Sequence, residues 1–213
     1  MRAVALVAGA VFSLGTAQAE SGLVGAYYQL SAAPGNNANA ESAIVGSTPT
    51  ATFVATTICY PSCDNTASDS TSLSSFLGTN ATGLSPNTVN NLDNHVLTLT
   101  GYLNIAAAGT YTFSLGSDDG SKLVIDGVTL SNDGDHAFNT VSLDYTLSAG
   151  QHTISILQFE DVGATGLTVK INGAALDSSI LQTTPVPEPE TWALFSAAIG
   201  VMGVAVRRRR AMG

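Results

Sequence analysis

The stretch GTYTFSLGSDDGSKLVIDG, from Gly109 to Gly127, decides the fold that the sequence predicts. Its first half alternates apolar and hydroxyl-bearing residues, which places Tyr111, Phe113 and Leu115 on one face. A two-residue period is typical of a β-strand with one buried face. The alternation resumes after two adjacent aspartates and ends at Asp126-Gly127, a dipeptide typical of hairpin turns. We therefore predict consecutive antiparallel strands around this stretch.

The two adjacent aspartates, Asp118 and Asp119, lie between Gly116 and Gly120. In a regular strand their side chains would point to opposite faces of the sheet. Flanking glycines allow a more sharply bent backbone, which can turn both carboxylates toward one point. Convergent carboxylates suit a hard cation such as calcium, because calcium takes only oxygen ligands. The alternative is a structural turn whose carboxylates accept hydrogen bonds from nearby amide groups.

This stretch, with GTYTF followed by SDDGSKLVIDG, resembles the centre of the PA-14 domain. That domain is a β-sandwich also found in yeast flocculins, adhesins and some glycosidases. The segment GLVGAYY, from Gly22 to Tyr28, resembles its opening strand, and the resemblance runs to about Leu181. It implies an all-β fold, an antiparallel β-sandwich or open β-barrel, over a domain spanning residues 20–184. It also implies that a cis peptide joins Asp118 to Asp119, and that the pair holds a calcium ion that coordinates sugar hydroxyls.

The resemblance implies a second calcium-binding loop after the long late strand. This loop would complete the ligand shell with one side chain and with backbone carbonyls. Here it reads EDVGAT, in which Asp161 is the first candidate ligand and Glu160 the second. Val162 and Gly163 are the candidates for backbone contacts to the ligand. Flocculin-type members tend to place an asparagine in this loop, and this chain has none there.

The composition favours an all-β extracellular protein. Gly, Ser, Thr and Asn are abundant, whereas charged residues make up only 11% of the chain. Between Glu20 and Pro187 there are two lysines and 14 acidic residues, which gives this region a net charge of about −12. Nucleic acid and anionic membrane surfaces are excluded as partners, because binding them requires clustered Lys and Arg.

The remaining alternating segments predict about nine or ten short strands in total. Val96–Ile105 is one of them, and Gly101 on its apolar face leaves room for a close neighbour. Ser31–Ser47 is small, polar and glycine-containing, which predicts a loop. Within the long Ser- and Asn-rich insertion, Leu73–Leu77 could form one short helical turn.

Cys59 and Cys63 are the two cysteines of the chain and lie in CYPSC. In an exported protein with two cysteines, a disulfide is the favoured state. A redox site or a metal site is the alternative, but two thiolates without a neighbouring histidine cannot complete a zinc site. The loop between the cysteines is short, so the predicted bridge pins a loop tip rather than stapling the fold.

Both ends of the chain predict export. Residues 1–19 have one positive charge, an apolar run and the small residues Ala17 and Ala19 around a cleavage position, as in a secretory signal peptide. The alternative is an N-terminal membrane anchor.

At the C-terminus, Val186, Pro187, Glu188 and Pro189 precede an apolar run at 192–206. The four arginines that follow are Arg207, Arg208, Arg209 and Arg210. Residues 185–213 resemble a PEP-CTERM sorting signal, which implies recognition and cleavage by an exosortase. The membrane would then hold the chain only temporarily, before release to the cell surface or medium, and the setting would be a bacterium that makes exopolysaccharide and biofilm. The alternative is a permanent single-span anchor.

The sequence contains no recognisable catalytic constellation, so an enzyme is not predicted. It has neither HExxH nor GxSxG, and no carboxylate pair is singled out as in a glycosidase. His95, His136 and His152 lie at predicted strand ends or in loops and are interpreted as polar surface residues. Two function classes remain: a calcium-assisted carbohydrate-binding surface protein, and a structural matrix protein that binds no sugar.

Overall fold

The computed structural model describes residues 20–185 of the 213-residue chain. The predicted signal peptide at 1–19, the sorting motif at 186–189, the apolar run at 192–206 and the arginine cluster at 207–210 lie outside the described residues. The helices are α1 (Asn37–Ile44), α2 (Leu73–Leu77) and a 3-10 turn (Gly78–Asn80). The strands are β1 (Leu23–Gln29), β2 (Ala51–Ala55), β3 (Cys59–Tyr60), β4 (Ala81–Ser85), β5 (His95–Ile105), β6 (Gly109–Asp118), β7 (Ser121–Ile125), β8 (Val128–Asn132), β9 (Asn139–Leu147), β10 (Gly150–Glu160), β11 (Gly166–Ile171), β12 (Ala174–Ala175) and β13 (Leu181–Gln182).

The strands form two antiparallel sheets, which confirms the predicted all-β sandwich class. The larger sheet has the order β4-β2-β1-β5-β10-β7-β8, with β13 also pairing with β5. The smaller sheet has the order β12-β11-β6-β9, with β3 pairing with β11. The inner faces of the two sheets bury one continuous apolar core, which includes Leu97, Leu99, Phe113, Leu167 and Val169.

The central stretch folds as the alternation predicts. Phe113, Leu115, Leu123 and Ile125 are buried, and Asp126 and Gly127 form the turn between β7 and β8. β6 runs on to Asp118, so the bend is confined to the two residues between β6 and β7. This tight bend places the pair of aspartates at the very end of a strand.

Gly101 has the close neighbour that its position predicts. A Cβ atom there would lie 2.5 Å from the carbonyl oxygen of Gln182 and 2.8 Å from a methyl carbon of Leu23. The bare backbone of β5 therefore lets the last strand of the domain pack against it.

The prediction of a loop at Ser31–Ser47 is wrong, because this segment contains helix α1. The side chain of Asn36 caps the helix by accepting a hydrogen bond from the Asn39 N–H. Ala40 is fully buried against a small second apolar cluster that includes Leu157 and Phe159 of β10. Docking on the outer face of the larger sheet stabilises a helix that its polar composition does not reveal.

Cys59 and Cys63 form the predicted disulfide bond. Cys59 is fully buried in β3, which pairs with β11 at Thr168. The segment after the bridge continues along the same edge, where Ser68 pairs with Thr165. The bridge thus holds the start of the long insertion beside the loop that follows β10.

The ends of the described chain meet at one end of the sandwich. The Thr183 N–H donates to the Glu20 carbonyl at 2.9 Å, and the Gly22 N–H donates to the Leu181 carbonyl at 2.9 Å. We call the segments Glu20–Gly22 and Leu181–Thr183 the termini pole. Within residues 20–185, no helix is long and apolar enough to cross a membrane.

Candidate metal centre

Three carboxylates converge at the opposite end of the sandwich from the termini pole. Asp118 ends β6 and Asp119 follows it in the bend, while Glu160 ends β10. One carboxylate oxygen from each lies within 4.8 Å of those of the other two. The peptide between Asp118 and Asp119 is cis, as the family resemblance implies. We call these three side chains the carboxylate cluster.

Asp119 is held in place through both of its carboxylate oxygens. Oδ1 accepts a hydrogen bond from the His136 N–H at 3.0 Å, and Oδ2 accepts one from the Asp161 N–H at 2.9 Å. These two donors belong to two different loops, one after β8 and one after β10. The side chain of Asp119 is 4% exposed, so the two loops fix a nearly buried charge.

Glu160 forms the floor of the cluster. It is fully buried, and its Oε2 accepts a hydrogen bond from the Asp119 N–H at 3.0 Å. Its Oε1 is also buried but has no hydrogen-bond partner among the residues that the structure describes. A buried carboxylate oxygen without a partner is unfavourable, so this atom needs a proton or a cation.

The raised pKa values of the three carboxyl groups also indicate that the cluster needs a proton or a cation. Burial, followed by the charges of Asp119 and Asp118, raises the pKa of Glu160 to about 9. Burial and the Asp119 charge raise the pKa of Asp118 to about 6. Burial also raises the pKa of Asp119, and the nearby Asp135 carboxylate adds to that increase. Without a counter-ion, the three carboxyl groups cannot all stay ionised near pH 7.

The larger sheet contributes a buried polar network beneath the bend. Gln158 donates through Nε2 to the carbonyl oxygen of Asp118 at 3.0 Å and to Thr165 Oγ1 at 3.1 Å. Its Oε1 lies 3.0 Å from Nε2 of His95. The network thereby connects the backbone of the bend to the loop after β10.

The interpretation of His95 and His152 as surface residues is wrong. His95 is fully buried and His152 is 7% exposed, and both are hydrogen-bonded through both ring nitrogens. The signal for the network is present in the sequence, because Gln158 interrupts an otherwise apolar run at the end of β10. A polar residue in the middle of a buried strand indicates a local hydrogen-bonding requirement.

The structure separates the two candidate ligands of the second loop. Glu160 joins the carboxylate cluster, whereas the Asp161 carboxylate accepts a hydrogen bond from the Gly35 N–H at 3.0 Å. Asp161 contributes to the cluster through its backbone N–H instead. Val162 is 68% exposed at the tip of this loop, and the Gly163 N–H donates to the Asp93 carboxylate at 3.2 Å.

The start of α1 and the residues just before it connect the two loops whose N–H groups contact Asp119. Besides the bond from Gly35 to Asp161, the Asn37 N–H donates to the Asp133 carboxylate at 2.7 Å. Asp133 lies in the loop whose His136 N–H contacts Asp119. A region predicted as a plain loop is therefore part of the support of the site, and the sequence gives no signal for this.

Comparison with known families identifies the domain. A sequence model of the PA14 domain matches residues 61–176, more than half of the chain. The chain belongs to the PA14 domain family. A second model, the PEP-CTERM protein-sorting motif, matches residues 185–210 and implies export with membrane-anchored processing. No curated protein matches the sequence.

Solved PA14 domains are similar in structure to this one. The PA14 domain of the MpAFP antifreeze protein is 26% identical with a TM-score of 0.70; the match covers 84% of this chain and all of that chain. A PA14 sugar-binding domain from an RTX adhesin is 27% identical with a TM-score of 0.67, over 78% and 99% of the two chains. The A domain of epithelial adhesin 6 from Candida glabrata, solved with Galβ1-3GlcNAc, shares the fold at 14% identity and a TM-score of 0.51, over 82% and 92%.

Proposed function

We propose that this PA14 domain is a calcium-assisted carbohydrate-binding module of an exported bacterial surface protein. The observation that carries the proposal is the buried carboxylate cluster with the unpartnered Oε1 of Glu160. A divalent cation would satisfy that oxygen and offset the mutual repulsion of the carboxylates. Asp118, Asp119 and Glu160 would hold the ion, and calcium would supply open coordination positions for sugar hydroxyls.

The carbohydrate part of the proposal rests on the comparisons and on the position of the cluster. The RTX adhesin domain, described as sugar-binding, covers most of this chain at 27% identity. Asp118 is half-exposed, so a bound cation would be reachable from solvent on its side. We propose exopolysaccharide as the ligand class, since the sorting motif accompanies polysaccharide-making bacteria in the resemblance described above.

The proposed location follows from the two ends of the chain. We propose that residues 1–19 direct export and are removed, and that residues 185–213 tether the protein to the inner membrane until an exosortase cleaves near Pro187–Pro189. The domain at 20–184 would then reach the cell surface or the medium. The match to the sorting motif supports this course.

A second candidate is a structural matrix protein that uses the PA14 fold without binding sugar. One observation favours it: in the part of the chain that the structure describes, the exposed large hydrophobic residues are valines, with no aromatic ring among them. Carbohydrate sites commonly use an exposed aromatic ring as a stacking platform, because the ring is apolar on its face and polar at its edge.

The test of calcium binding is thermal unfolding of residues 20–185 with calcium and with chelator. Ligand binding to the folded state alone, at one hundred times its dissociation constant, adds about 2.7 kcal/mol to the free energy of unfolding. We expect the melting temperature to rise with calcium, and the variant Asp118→Asn with Asp119→Asn to lose that rise. Thr112→Ala on the exposed face of the smaller sheet is the control. If calorimetry detects no calcium binding at millimolar calcium concentration, the proposal is contradicted.

The test of carbohydrate binding is a glycan array probed with and without chelator. Calcium-dependent binding to any glycan supports the module. Calcium stabilisation without glycan binding favours the structural matrix protein instead, so the two candidates are separated by a single pair of measurements.

A further inference from the structure

The last strand of the domain lies very close in sequence to the sorting motif. We propose that the exosortase that processes the tail docks against the termini pole and acts on the closed, folded domain. The inference rests on the proposed sorting of the tail. It adds an interaction surface on the domain itself, on the pole opposite to the carboxylate cluster.

The termini pole is locked into the fold. Leu181 is fully buried and pairs with Leu103 of β5. Its carbonyl accepts the Gly22 N–H, and the Glu20 carbonyl accepts both the backbone N–H and the hydroxyl of Thr183. Gln151 of β10 donates to the side chain of Gln182 at 2.8 Å. Withdrawing this strand would therefore expose a core leucine and break contacts to three other segments.

The spacer between this locked strand and the motif is short. Four residues lead from Thr183 to Pro187, which is a reach of about 14 Å even when fully extended. The match to the sorting motif begins at residue 185, only two residues beyond Thr183. A folded enzyme is wider than that reach, because even a small domain with a radius of gyration of about 13 Å is at least about 26 Å across. An enzyme that holds the motif in its active site must then contact the termini pole, unless the strand unzips.

The first experiment distinguishes a closed domain from an unzipped one. Ser21 and Gln182 face each other as an isolated antiparallel pair, and such pairs bring Cβ atoms to within disulfide range. The variant Ser21→Cys with Gln182→Cys would lock the strand in the oxidising environment outside the inner membrane. In the native host, we expect pulse-chase mass analysis of the full chain to show processing of the locked protein within twofold of wild type. Loss of processing in the locked protein, with both single-cysteine variants processed, would overturn the inference.

The second experiment tests contact with the pole. Deleting Thr184 and Pro185 removes about 7 Å of reach. We expect processing to slow tenfold or more, because the enzyme and the pole would clash. The matched control replaces the same two residues with Gly-Ser and should be processed like wild type. Processing of the deletion variant at the wild-type rate would show that the enzyme does not contact the pole. If the wild-type chain itself keeps its tail, the proposed sorting fails instead.

Discussion

Two neighbouring residues, Glu160 and Asp161, have opposite environments although both carry a carboxylate. Glu160 ends β10 with its side chain directed inward to the cluster, and Asp161 directs its side chain outward to Gly35. The alternation of a strand accounts for the difference, because consecutive side chains point to opposite faces. Asp161 ranks first and Glu160 second as predicted ligands within the loop that the family resemblance implies, whereas the register of β10 brings Glu160 into the carboxylate cluster.

This difference leads to a prediction for two matched variants. Glu160→Gln removes one of the three cluster charges but keeps an oxygen that can accept the Asp119 N–H. We expect it to weaken calcium binding about tenfold or more, equal to about 1.4 kcal/mol, while leaving the calcium-free domain no less stable. Asp161→Asn keeps the acceptor for Gly35 and should change the affinity by no more than about threefold. Isothermal calorimetry on residues 20–185 measures both.

The reverse order of effects would contradict the assignment. If Asp161→Asn weakened calcium binding more than Glu160→Gln, the cation would lie nearer the loop tip than the cluster geometry indicates. Unchanged melting temperatures of both variants in chelator serve as the control for folding.

At the scale of elements, the sequence predicts the strands well and the connections less well. The central hairpin and β5 follow directly from apolar alternation, because each buries one face against the opposite sheet, whereas the opening strand follows from the family resemblance. Helix α1 escapes prediction because its stability comes from packing on the larger sheet and from the Asn36 cap. Adjacent aspartates between glycines indicate two of the three carboxylates of the cluster. The third, Glu160, lies 41 residues after Asp119 and is a candidate only through the family resemblance.

A pair of titrating side chains ties the turn between β7 and β8 to β10. Nδ1 of His152 lies 2.6 Å from the Asp126 carboxylate, and its Nε2 lies 3.1 Å from the Ser148 carbonyl. Burial opposes protonation of the ring, but the hydrogen bonds to Asp126 and Ser148 outweigh it and raise the pKa of His152. Burial likewise opposes ionisation of Asp126, yet the hydrogen bonds from His152 and Thr153 lower its pKa.

These opposite shifts predict a pH dependence of stability. The His152 contribution is fully present below about pH 6.5, the pKa of an unfolded histidine, and is lost as the pH rises through the raised folded value. The Asp126 contribution is lost only in acid, as the pH falls below about 4 through the lowered folded value. We expect His152→Gln to lower the free energy of unfolding by about 1 kcal/mol more at pH 5.5 than at pH 8.5. Urea unfolding of the wild type and the variant in chelator measures this difference. The carboxylate cluster is the same in both proteins, so its own pH dependence cancels in the comparison. An equal cost at the two pH values would show that the pair is not charged.

At the scale of the whole molecule, the carboxylate cluster and the termini pole lie at opposite ends of the sandwich. In the pairing of β10 with β5, Gly150 faces Ile105 at the end near the termini, and Glu160 faces His95 at the cluster end. Leu103, which pairs with Leu181 of the termini pole, faces His152 of β10, so the stretch of β10 from His152 to Glu160 places the two poles about 26 Å apart. A tail that continues beyond Thr183 therefore leaves the domain at the end of the sandwich opposite the cluster.

This polarity predicts that the tethered precursor binds its ligand as well as the released protein does. The variant with Pro187, Glu188 and Pro189 replaced by alanine should keep its tail, and it can be placed in nanodiscs of zwitterionic lipid. Because the cluster lies about 26 Å from the termini pole, beyond the Debye length of about 8 Å at physiological salt, a membrane at that pole should neither block nor attract the cation. We expect the calcium affinity measured by calorimetry to match that of residues 20–185 within twofold, and glycan binding to be retained where the array shows it. A tethered protein that binds calcium tenfold more weakly, with the affinity restored when the tail is removed, would place the cluster against the bilayer and contradict the polarity argued from β10.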